Sequence, residues 1–323
     1  MEIFKYRSPR NFMEYSKKSL SISLVLVVIS LTLLFTKGLN LGVDFAGGTL
    51  VQVQYKADAP IDQMRDKLKT SPTFNGSSIT EFGSPNEVII RFKTSSKDIQ
   101  NDVGDEIRSI LQGTGDFEIR RVDIVGPKVG SELKEKGLMS LLLAIIGILI
   151  YVSFRFEYRF AIASIVALVH DISIAIGMIS LFAIEVNLDV LAALLTILGY
   201  SLNDTIIVFD RIREGIITSK KSNLSDVVDE SVTKTLSRTT LTSLTTFFVV
   251  LTLFMFGGEI IHAFAFTLLV GVVVGTYSSI FVASPTLIYL GFNIRNYREN
   301  LAEKAKREIE KDRMRAQFEQ GTV

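Results

Sequence analysis

Six long blocks of apolar residues constrain this chain more than any other feature of its sequence. A helix of about 20 apolar residues spans the ~30 Å hydrocarbon core of a bilayer. Of the 323 residues, 48% are hydrophobic and 21% are charged, yet charged residues are nearly absent from the blocks. In chain order the blocks are Ser19–Thr36, Leu138–Phe154, Phe160–Ile184, Val190–Phe209, Thr239–Gly258 and Ile260–Ile294. The pattern predicts an α-helical membrane protein with six transmembrane spans.

The blocks and the segments between them predict the organisation of the whole chain. We predict spans at 19–36, 137–155, 160–184, 190–210, 239–258 and 262–290. The remaining segments are a cytoplasmic N-terminal segment at 1–18, an outer domain at 37–136, a cytoplasmic loop at 211–238 and a charged cytoplasmic tail at 291–323. The last block is long enough for one tilted helix with an interfacial end or for two short passes.

Basic residues are distributed unequally between the two sides of the predicted bundle. One side carries the basic residues of 1–18, of 211–238 and of the tail, together with Arg155 and Arg159. The opposite loops, Glu185–Asp189 and Gly257–His262, contain no lysine or arginine. Because cytoplasmic loops are enriched in these residues, both termini are predicted to be cytoplasmic. Splitting the last block would place the basic tail outside, so a single pass is favoured.

The outer domain at 37–136 alternates between strand and helix periodicities. Its predicted elements are a strand at Leu50–Tyr55, a helix after Pro60, strands at Ser78–Phe82 and Glu87–Phe92 around a Ser84–Asn86 turn, a helix face from Ile99 to Leu111, and a last, bulged strand at Phe117–Ile124. The order βαββαβ predicts a small α+β domain of the ferredoxin-like type. Because no catalytic or metal-binding constellation occurs in it, we predict a docking or structural role.

Composition excludes several kinds of chemistry. The absence of cysteine excludes disulfides, thiolate metal sites and cysteine nucleophiles. The sequence lacks the phosphate-binding motif G-x-x-x-x-G-K-[ST], and its two histidines are not at metal-ligand spacing. The net charge of +1 provides no field for binding nucleic acid. We therefore expect no enzyme activity, no catalytic residues, no metal and no organic cofactor.

Ionisable residues inside the predicted spans are the candidates for function. His170 and Asp171 lie in the third span and Asp204 lies in the fourth. A charge at the centre of a transmembrane helix costs roughly 2.5–3.5 kcal/mol, so such residues need a partner, a wet cavity or a protonation role. The structural alternative for Asp204 is an interhelical salt bridge or hydrogen bond. For His170 and Asp171 it is the capping of a neighbouring helix backbone.

Polar residues next to these groups extend the candidate site. Ser201 and Asn203 precede Asp204 in the fourth span, whereas Arg238 opens the fifth span and Thr242 follows it by one turn. Hydroxyl and amide side chains at helical spacing either pack helices together or line a hydrated path for protons. The sequence leaves both roles open for these residues.

Five motifs in succession resemble the SecF family of bacterial protein-export membrane proteins. They are Gly42-Val43-Asp44-Phe45-Ala46-Gly47-Gly48, Val125-Gly126-Pro127, His170-Asp171, Gly199–Glu214 and Ser237-Arg238-Thr239. Each motif is weak alone, but each lies at the expected place relative to the predicted spans. The first motif, with Asp44, Phe45, Gly47 and Gly48, falls just outside the first span. The Asn-Asp-Thr sequence in the fourth span and the small outer domain resemble SecF more closely than they resemble the related protein SecD.

The resemblance implies half of a resistance–nodulation–division (RND) fold in the bacterial inner membrane. It implies a complex with SecD around the SecYEG channel, with YajC a further candidate partner and translocating preprotein and membrane lipid as contacts. It also implies that the proton gradient is the energy source. The proton-relay residues of the family correspond here to Asp204 and Arg238.

Other functions agree with parts of the sequence. Gly199-Tyr200-Ser201 with His170 resembles an intramembrane serine protease, and Asp171 with Asp204 resembles an intramembrane aspartyl dyad. The serine motif lacks its closing glycine, because Leu202 follows Ser201. Half of a small-molecule RND exporter is another alternative, although such exporters usually combine two six-helix halves in one chain. The last alternative is a purely structural scaffold, and the aspartate in the fourth span, Asp204, argues against it.

Overall fold

The computed structural model describes residues 9–92, 103–219, 221 and 223–319. Its helices in chain order are α1 (Ser16–Thr36), α2 (Val43–Ala46), α3 (Ile61–Thr70), α4 (Val103–Leu111), α5 (Pro127–Arg155), α6 (Tyr158–Leu181), α7 (Leu188–Thr218), α8 (Leu224–Phe256), α9 (Gly258–Ser278), α10 (Ser284–Tyr289) and α11 (Ile294–Glu319). Its strands are β1 (Asn40–Leu41), β2 (Gly48–Tyr55), β3 (Ser78–Phe82), β4 (Ser84–Phe92), β5 (Phe117–Val125) and β6 (Glu185–Val186). Of the predicted cytoplasmic segment 1–18, residues 1–8 lie outside this description.

Within the described ranges, six helical units are long and apolar enough to cross a membrane. They are α1, α5, α6, α7, α8 and the unit formed by α9 and α10, which confirms the predicted number of spans. A π-helical turn at Ser279–Ala283 joins α9 to α10 without interrupting the rod. The last apolar block therefore forms a single pass, and the chain turns at Gly291, which has a φ of +68°.

Two predicted boundaries need correction because helices continue beyond the apolar blocks. The predicted loop 211–238 is mostly helical, since α7 extends to Thr218 and α8 begins at Leu224. The Asn223 side chain accepts a hydrogen bond from the backbone N–H of Ser225 and so caps the start of α8. At the outer side, α5 begins at Pro127 rather than at 137. Charge marks the end of the hydrocarbon layer, but it does not end a helix that water can solvate.

The six spans form a bundle with α6, α7 and the α9–α10 unit near its centre. The apolar segments of α6, α7 and the α9–α10 unit are 61%, 50% and 56% buried, whereas those of α1, α5 and α8 are 17% buried or less. Small residues at the contacts allow the helices to approach closely, as is common between transmembrane helices. A Cβ on Gly177 would lie 2.7 Å from the Cα of Ser30, and one on Gly271 would lie 2.2 Å from Ile197 Cγ1.

The outer domain follows the predicted βαββαβ order. Its antiparallel sheet has the strand order β3-β4-β2-β5, and α3 and α4 contribute to one apolar core with the sheet. The core residues are Val51, Val53, Tyr55, Met64, Leu68, Phe74, Val88, Ile90, Phe92, Val103, Ile107 and Leu111. The register shifts at Gln52/Val53, which confirms the predicted bulge in the last strand pair. Ile99, predicted to belong to the second helix, lies outside the described residues.

The predicted turn at Ser84–Asn86 is wrong. The chain turns instead at Gly83, whose φ of +77° is accessible to glycine without strain, and β4 begins at Ser84. Pro85 belongs to this strand but has no partner in either ladder, so its missing N–H interrupts no pairing. Although Ser84, Pro85 and Asn86 are residues typical of turns, the turn forms at the preceding glycine.

Candidate functional site

Three ionisable side chains are buried within the apolar spans, and a fourth, Asp229, is buried near the start of α8, before the apolar part of that helix. Asp171 and Asp204 are 0% and 1% exposed, and His170 is 5% exposed. Because a buried charge or polar group is costly in a low-dielectric environment unless it is hydrogen-bonded, the contacts of these groups are informative. The two aspartates belong to two separate hydrogen-bonded clusters that share α7 and α9.

The first cluster contains Asp204 of α7. The Ser243 hydroxyl of α8 donates to Asp204 Oδ2 over 3.1 Å, and the Thr276 hydroxyl of α9 donates to Ser243 Oγ over 2.8 Å. A chain of hydroxyls therefore leads from the carboxylate through α8 to α9. Such a chain can orient and pass a proton, because each hydroxyl is both a donor and an acceptor.

The second cluster surrounds Asp171 of α6. His170 Nδ1 lies 2.8 Å from Asp171 Oδ1, while the hydroxyls of Ser201 and Ser278 donate to Asp171 Oδ2 over 2.5 and 2.8 Å. Ser201 lies three residues before Asp204 on α7, so the two clusters occupy neighbouring turns of that helix. The carboxylate holds α6, α7 and α9 together through both of its oxygens.

Arg238 lies in the N-terminal half of α8 and is exposed. With residues of α7 and α8, among them Ile206, Asp210 and Glu214, it lines an open cleft of about 370 Å³. Arg238 is near enough for its charge to act on Asp204, although no ion pair between the two occurs among the described residues. Asp210 instead contacts Arg155 and Arg213 at 3.4 and 2.9 Å.

Two predicted residues lie away from the clusters. Asn203 and Thr242 are exposed on the outside of the bundle, together with Thr196 and Thr245. The Thr242 hydroxyl donates to the backbone oxygens of Arg238 and Thr239 on its own helix. We call Thr196 and Asn203 of α7 with Arg238, Thr242 and Thr245 of α8 the polar outer face.

Ser243, Thr276 and Ser278 are cluster members that sequence reasoning did not select. Each is a hydroxyl in an apolar span, and each carries no charge that would distinguish it from packing residues. Ser243 is the immediate neighbour of the predicted Thr242, and the helical rotation of about 100° per residue places the two on different faces. Ser278 directly precedes the π-helical turn, and no sequence pattern predicts that turn.

The glycine motif after the first span joins the outer domain to α7. Asp44 Oδ2 accepts a hydrogen bond from the backbone N–H of Leu188, the first residue of α7, over 3.0 Å. A carboxylate at this position also interacts favourably with the helix dipole. Phe45 is buried against the bundle. Motif residues thus contact the end of the helix that carries Asp204.

Both glycines of the motif are required by backbone geometry. Gly47 and Gly48 have φ values of +74° and +146°. A Cβ on Gly47 would lie 3.0 Å from Pro127 Cα, and one on Gly48 would lie 2.6 Å from the backbone oxygen of Phe92. The motif therefore brings the starts of β2 and α5 and the end of β4 into close contact, which residues with side chains would prevent.

The geometry does not support either proteolytic alternative. The Ser201 hydroxyl donates to Asp171, and His170 also contacts Asp171, so no serine–histidine nucleophile pair forms. Asp171 and Asp204 have different partners and share no hydrogen bond, unlike the paired carboxylates of aspartyl proteases. The site is a pair of buried carboxylate clusters in a multi-pass membrane protein.

Comparisons with known proteins agree with this class. The family model described as "Protein export membrane protein SecD/SecF, C-terminal" matches residues 106–293, and the "SecD/SecF GG Motif" model matches residues 32–59. The chain is 50% identical to "Protein translocase subunit SecF" of Helicobacter pylori strain J99 over 323 residues, which is 100% of both chains. It is 46% identical to the SecF subunit of Vibrio alginolyticus over 292 residues, 90% of this chain and 92% of the relative.

A solved structure is similar across nearly the whole chain. The crystal structure of SecDF from Thermus thermophilus, described as a translocon-associated membrane protein, covers 90% of this chain at 33% identity with a TM-score of 0.79. This chain spans 40% of that longer protein. The chain belongs to the SecD/SecF family of protein-export membrane proteins, and its full-length relatives place it in the SecF branch.

Proposed function

We propose that this chain acts with SecD as an accessory subunit of Sec protein export and uses the proton motive force to promote late steps of preprotein translocation through SecYEG. Asp204 is the observation that carries the proposal. It is a buried carboxylate whose hydrogen-bond partner among the described residues is a neutral hydroxyl, Ser243. Because a charged carboxylate without a cation is costly in this environment, the side chain is suited to bind and release a proton.

Arg238 supplies the second half of the proposed relay. A guanidinium that approaches Asp204 stabilises the ionised carboxylate, and one that withdraws favours the protonated acid. Arg238 is exposed in this chain and makes no ion pair with Asp204, so no direct contact with the carboxylate holds it in place. Alternation between the two arrangements would load a proton from one side of the membrane and release it to the other.

The energy available from protons is of the right magnitude for such a cycle. One charge moving through ~100 mV releases about 2.3 kcal/mol, so ~200 mV supplies about 4.6 kcal/mol. Changing a two-state equilibrium from 1:99 to 99:1 requires about 5.5 kcal/mol. One or two protons per cycle therefore suffice to drive a conformational change in the bundle.

We further propose the topology and location that the loop charges predict. The chain lies in the bacterial inner membrane with both termini in the cytoplasm, and the βαββαβ domain faces the periplasm. The strand order β3-β4-β2-β5 with α3 and α4 against the same core supports a ferredoxin-like assignment for that domain. The basic residues near the ends of α5 and α7 support the orientation.

The polar outer face supports SecD as the partner within the membrane. Asn203, Arg238 and Thr242 are exposed on α7 and α8, where lipid chains offer no hydrogen bonds. A second helical bundle that covers this face would replace lipid with polar partners. This chain is similar to 40% of SecDF, so the rest of that longer protein is large enough to contain a second helical bundle. SecYEG, preprotein, lipid and YajC are the further contacts we propose.

The proposed role is not enzymatic and uses no cofactor other than the proton gradient. The buried serine donates to a carboxylate rather than to a histidine, which supports a relay over a hydrolase. Half of a small-molecule exporter remains the alternative, and transport of dyes or detergents by the purified complex would favour it.

Asp204→Asn tests the proposed function. Asparagine has nearly the same shape but does not titrate, so we expect normal insertion, normal SecD binding and loss of the gradient-dependent part of export. The measurement is preprotein translocation by membrane vesicles containing SecYEG, SecD and this chain, with and without an uncoupler. Arg238→Ala should have nearly the same effect, and Asp204→Glu should be partly active.

Asp189→Asn is the matched control, because Asp189 is an exposed aspartate on the same helix. It should export at the wild-type rate. The proposal fails if Asp204→Asn, present at normal levels, exports at that rate with the normal response to an uncoupler.

A further inference from the structure

The imidazole of His170 has one nitrogen that the structure leaves without a partner. Nδ1 lies 2.8 Å from the Asp171 carboxylate, whereas the buried Nε2 has no hydrogen-bond partner. A carboxylate accepts hydrogen bonds, so Nδ1 is the nitrogen that carries the hydrogen in this contact. A neutral ring then presents a bare lone pair at Nε2, which is the position where imidazole takes up a proton.

The neighbours of His170 are already committed to other contacts. Asp171 Oδ2 accepts from Ser201 and Ser278, so the carboxylate is saturated on its other side. The Tyr277 ring stacks on the imidazole at 6.2 Å, and its hydroxyl donates to the backbone oxygen of Ser19 over 3.1 Å. Within the described part of this cluster, Nε2 is therefore the vacant position for a proton.

The charged and titratable groups around the imidazole are few. Asp171 contacts it from α6 and Tyr277 stacks on it from α9, whereas α7 and α1 present the hydroxyls of Ser201 and Ser23 to this cluster. None of these described neighbours is a cation. An imidazolium at this position would thus have an adjacent carboxylate and no competing positive charge.

We propose that His170 Nε2 is a second proton-binding site of the bundle, separate from Asp204, with Asp171 as its counter-ion. The proton comes from water and binds to the lone pair of Nε2 without breaking a covalent bond. The pair changes from a net charge of −1 to 0, while Asp171 stays ionised and keeps its three donors. Proton binding itself does not require the proposed function, although its use in export rests on it.

The two proton sites are mechanically connected. Ser201 and Asp204 lie three residues apart on α7, and Thr276 and Ser278 lie two residues apart on α9. Ser278 directly precedes the π-helical turn, and the hydroxyl of Ser284, the first residue after that turn, donates to the backbone oxygen of Ser279 over 3.0 Å. A change of charge at His170 therefore acts on the same two helices that hold the Asp204 cluster, beside a turn whose hydrogen bonding differs from a regular helix.

Nitrogen NMR of the histidine rings tests the inference directly. The chain has two histidines, so His262→Gln leaves His170 as the single imidazole. The experiment uses the purified full chain with ¹⁵N-labelled histidine in lipid nanodiscs, with spectra recorded over a series of pH values from alkaline to acidic. We expect hydrogen on Nδ1 and none on Nε2 at the alkaline end, followed by one transition in which Nε2 becomes protonated.

Two further variants identify the cause of the signal. Asp171→Asn should abolish the preference for hydrogen on Nδ1, because the acceptor carboxylate is lost. Asp204→Asn should leave the His170 transition in place, so failure of the export proposal and failure of this inference give different results. The wild-type chain with both ring signals assigned replaces the single-histidine variant if His262→Gln does not fold.

The inference is overturned by either of two outcomes in folded protein. One is a ring that carries its hydrogen on Nε2 at alkaline pH, because that position would then be a donor rather than a vacancy. The other is a ring whose two nitrogens do not change across the titration. A transition that persists unchanged in Asp171→Asn would equally exclude Asp171 as the counter-ion.

Discussion

The outer domain and the membrane bundle bury opposite kinds of side chain. The core of the outer domain consists of apolar residues together with Tyr55, whose hydroxyl lies 2.7 Å from that of Thr114. Burial raises the pKa of Tyr55, and the contact with Thr114 lowers it by less. The bundle instead buries three aspartates, a histidine and many serines, while residues such as Leu24 and Phe154 are exposed on its surface.

The difference follows from the solvent of each region. Water solvates the outer domain, so its stability depends on removing apolar surface from water. Lipid solvates the bundle, so apolar burial provides little driving force and close packing and hydrogen bonds hold the helices together. A buried carboxylate is therefore an anomaly that needs a function in the bundle, and the described part of the outer domain buries none.

Glycine serves different purposes in the two regions. In the outer domain, Gly76 and Gly83 have positive φ values and open space around the position of a Cβ. In the bundle, Gly177 and Gly271 have helical backbones and no room for a Cβ. Turns need conformational freedom, whereas helix contacts in lipid need small volume.

The largest effect is expected from Phe74→Ala in the outer domain. Phe74 is fully buried and contacts Phe92 edge-to-face with ring centroids 4.7 Å apart. Loss of the ring should lower the free energy of unfolding of this domain by ~3–5 kcal/mol. The measurement is thermal loss of protease resistance at the outer domain in the purified full chain.

Phe154→Ala is the control for that experiment, because Phe154 is 89% exposed on the lipid side of α5. It should leave the stability of the outer domain unchanged. Equal midpoints for Phe74→Ala and wild type would mean that the apolar core does not hold this domain together.

A smaller effect is expected from Gly271→Ala in the bundle. The added methyl group would overlap Ile197 and force α7 and α9 apart, which should cost ~1–3 kcal/mol. The measurement is thermal unfolding in detergent, repeated in an Ile197→Ala background. The cost should shrink there, because the truncated side chain leaves room for the methyl group.

Gly199→Ala is the matched substitution on the same pair of helices. Nothing lies within 4 Å of a Cβ at Gly199, so alanine should be neutral or slightly stabilising through its higher helix propensity. A Gly271→Ala cost that is independent of residue 197 would argue against steric packing as the cause.

The smallest effect is expected where the two regions meet. Arg91 of β4 and Glu185 of β6 form an ion pair of 3.3 Å, with side chains 22% and 29% exposed. A pair of this kind contributes up to about 1 kcal/mol, so Arg91→Gln should accelerate amide exchange at Gly42 up to about fivefold. Gly42 reports on this contact because its N–H donates to Val186 O over 2.8 Å.

Salt and a second variant sharpen this test. The difference between Arg91→Gln and wild type should diminish at high ionic strength, because screening weakens the pair in the wild type. Arg121→Gln removes an ion pair with Asp123 that lies within β5 and should not affect Gly42. An unchanged exchange rate in Arg91→Gln would show that backbone pairing alone docks the outer domain.

The sequence was most informative where structure depends on neighbours along the chain. Long apolar blocks determine the spans because hydrocarbon thickness sets a length that composition alone can meet. Strand alternation and helical spacing placed the elements of the outer domain, since one side of each faces water. The turn at Gly83 was not predicted, because Ser84–Asn86 contains residues that are equally typical of turns.

Sequence reasoning was least informative about which faces of the helices meet. Composition shows that Asp171, Asp204 and His170 are costly in lipid, but it does not distinguish Ser243, which contacts Asp204, from Thr242, which lies outside. In a soluble helix an apolar stripe would reveal the buried face. In a membrane both faces are apolar, so that signal is weak.

Six spans, one outer α+β domain and ionisable groups in an apolar setting all follow from the order of residues along the chain. The packing of the helices was needed to show that Asp171 receives hydrogen bonds from residues 30 and 107 positions away, and that one nitrogen of His170 has no hydrogen-bond partner. The physical reason is that lipid removes the contrast between inside and outside on which sequence patterns depend. The pairing of helices is then set by small residues and hydroxyls whose partners are distant in the chain.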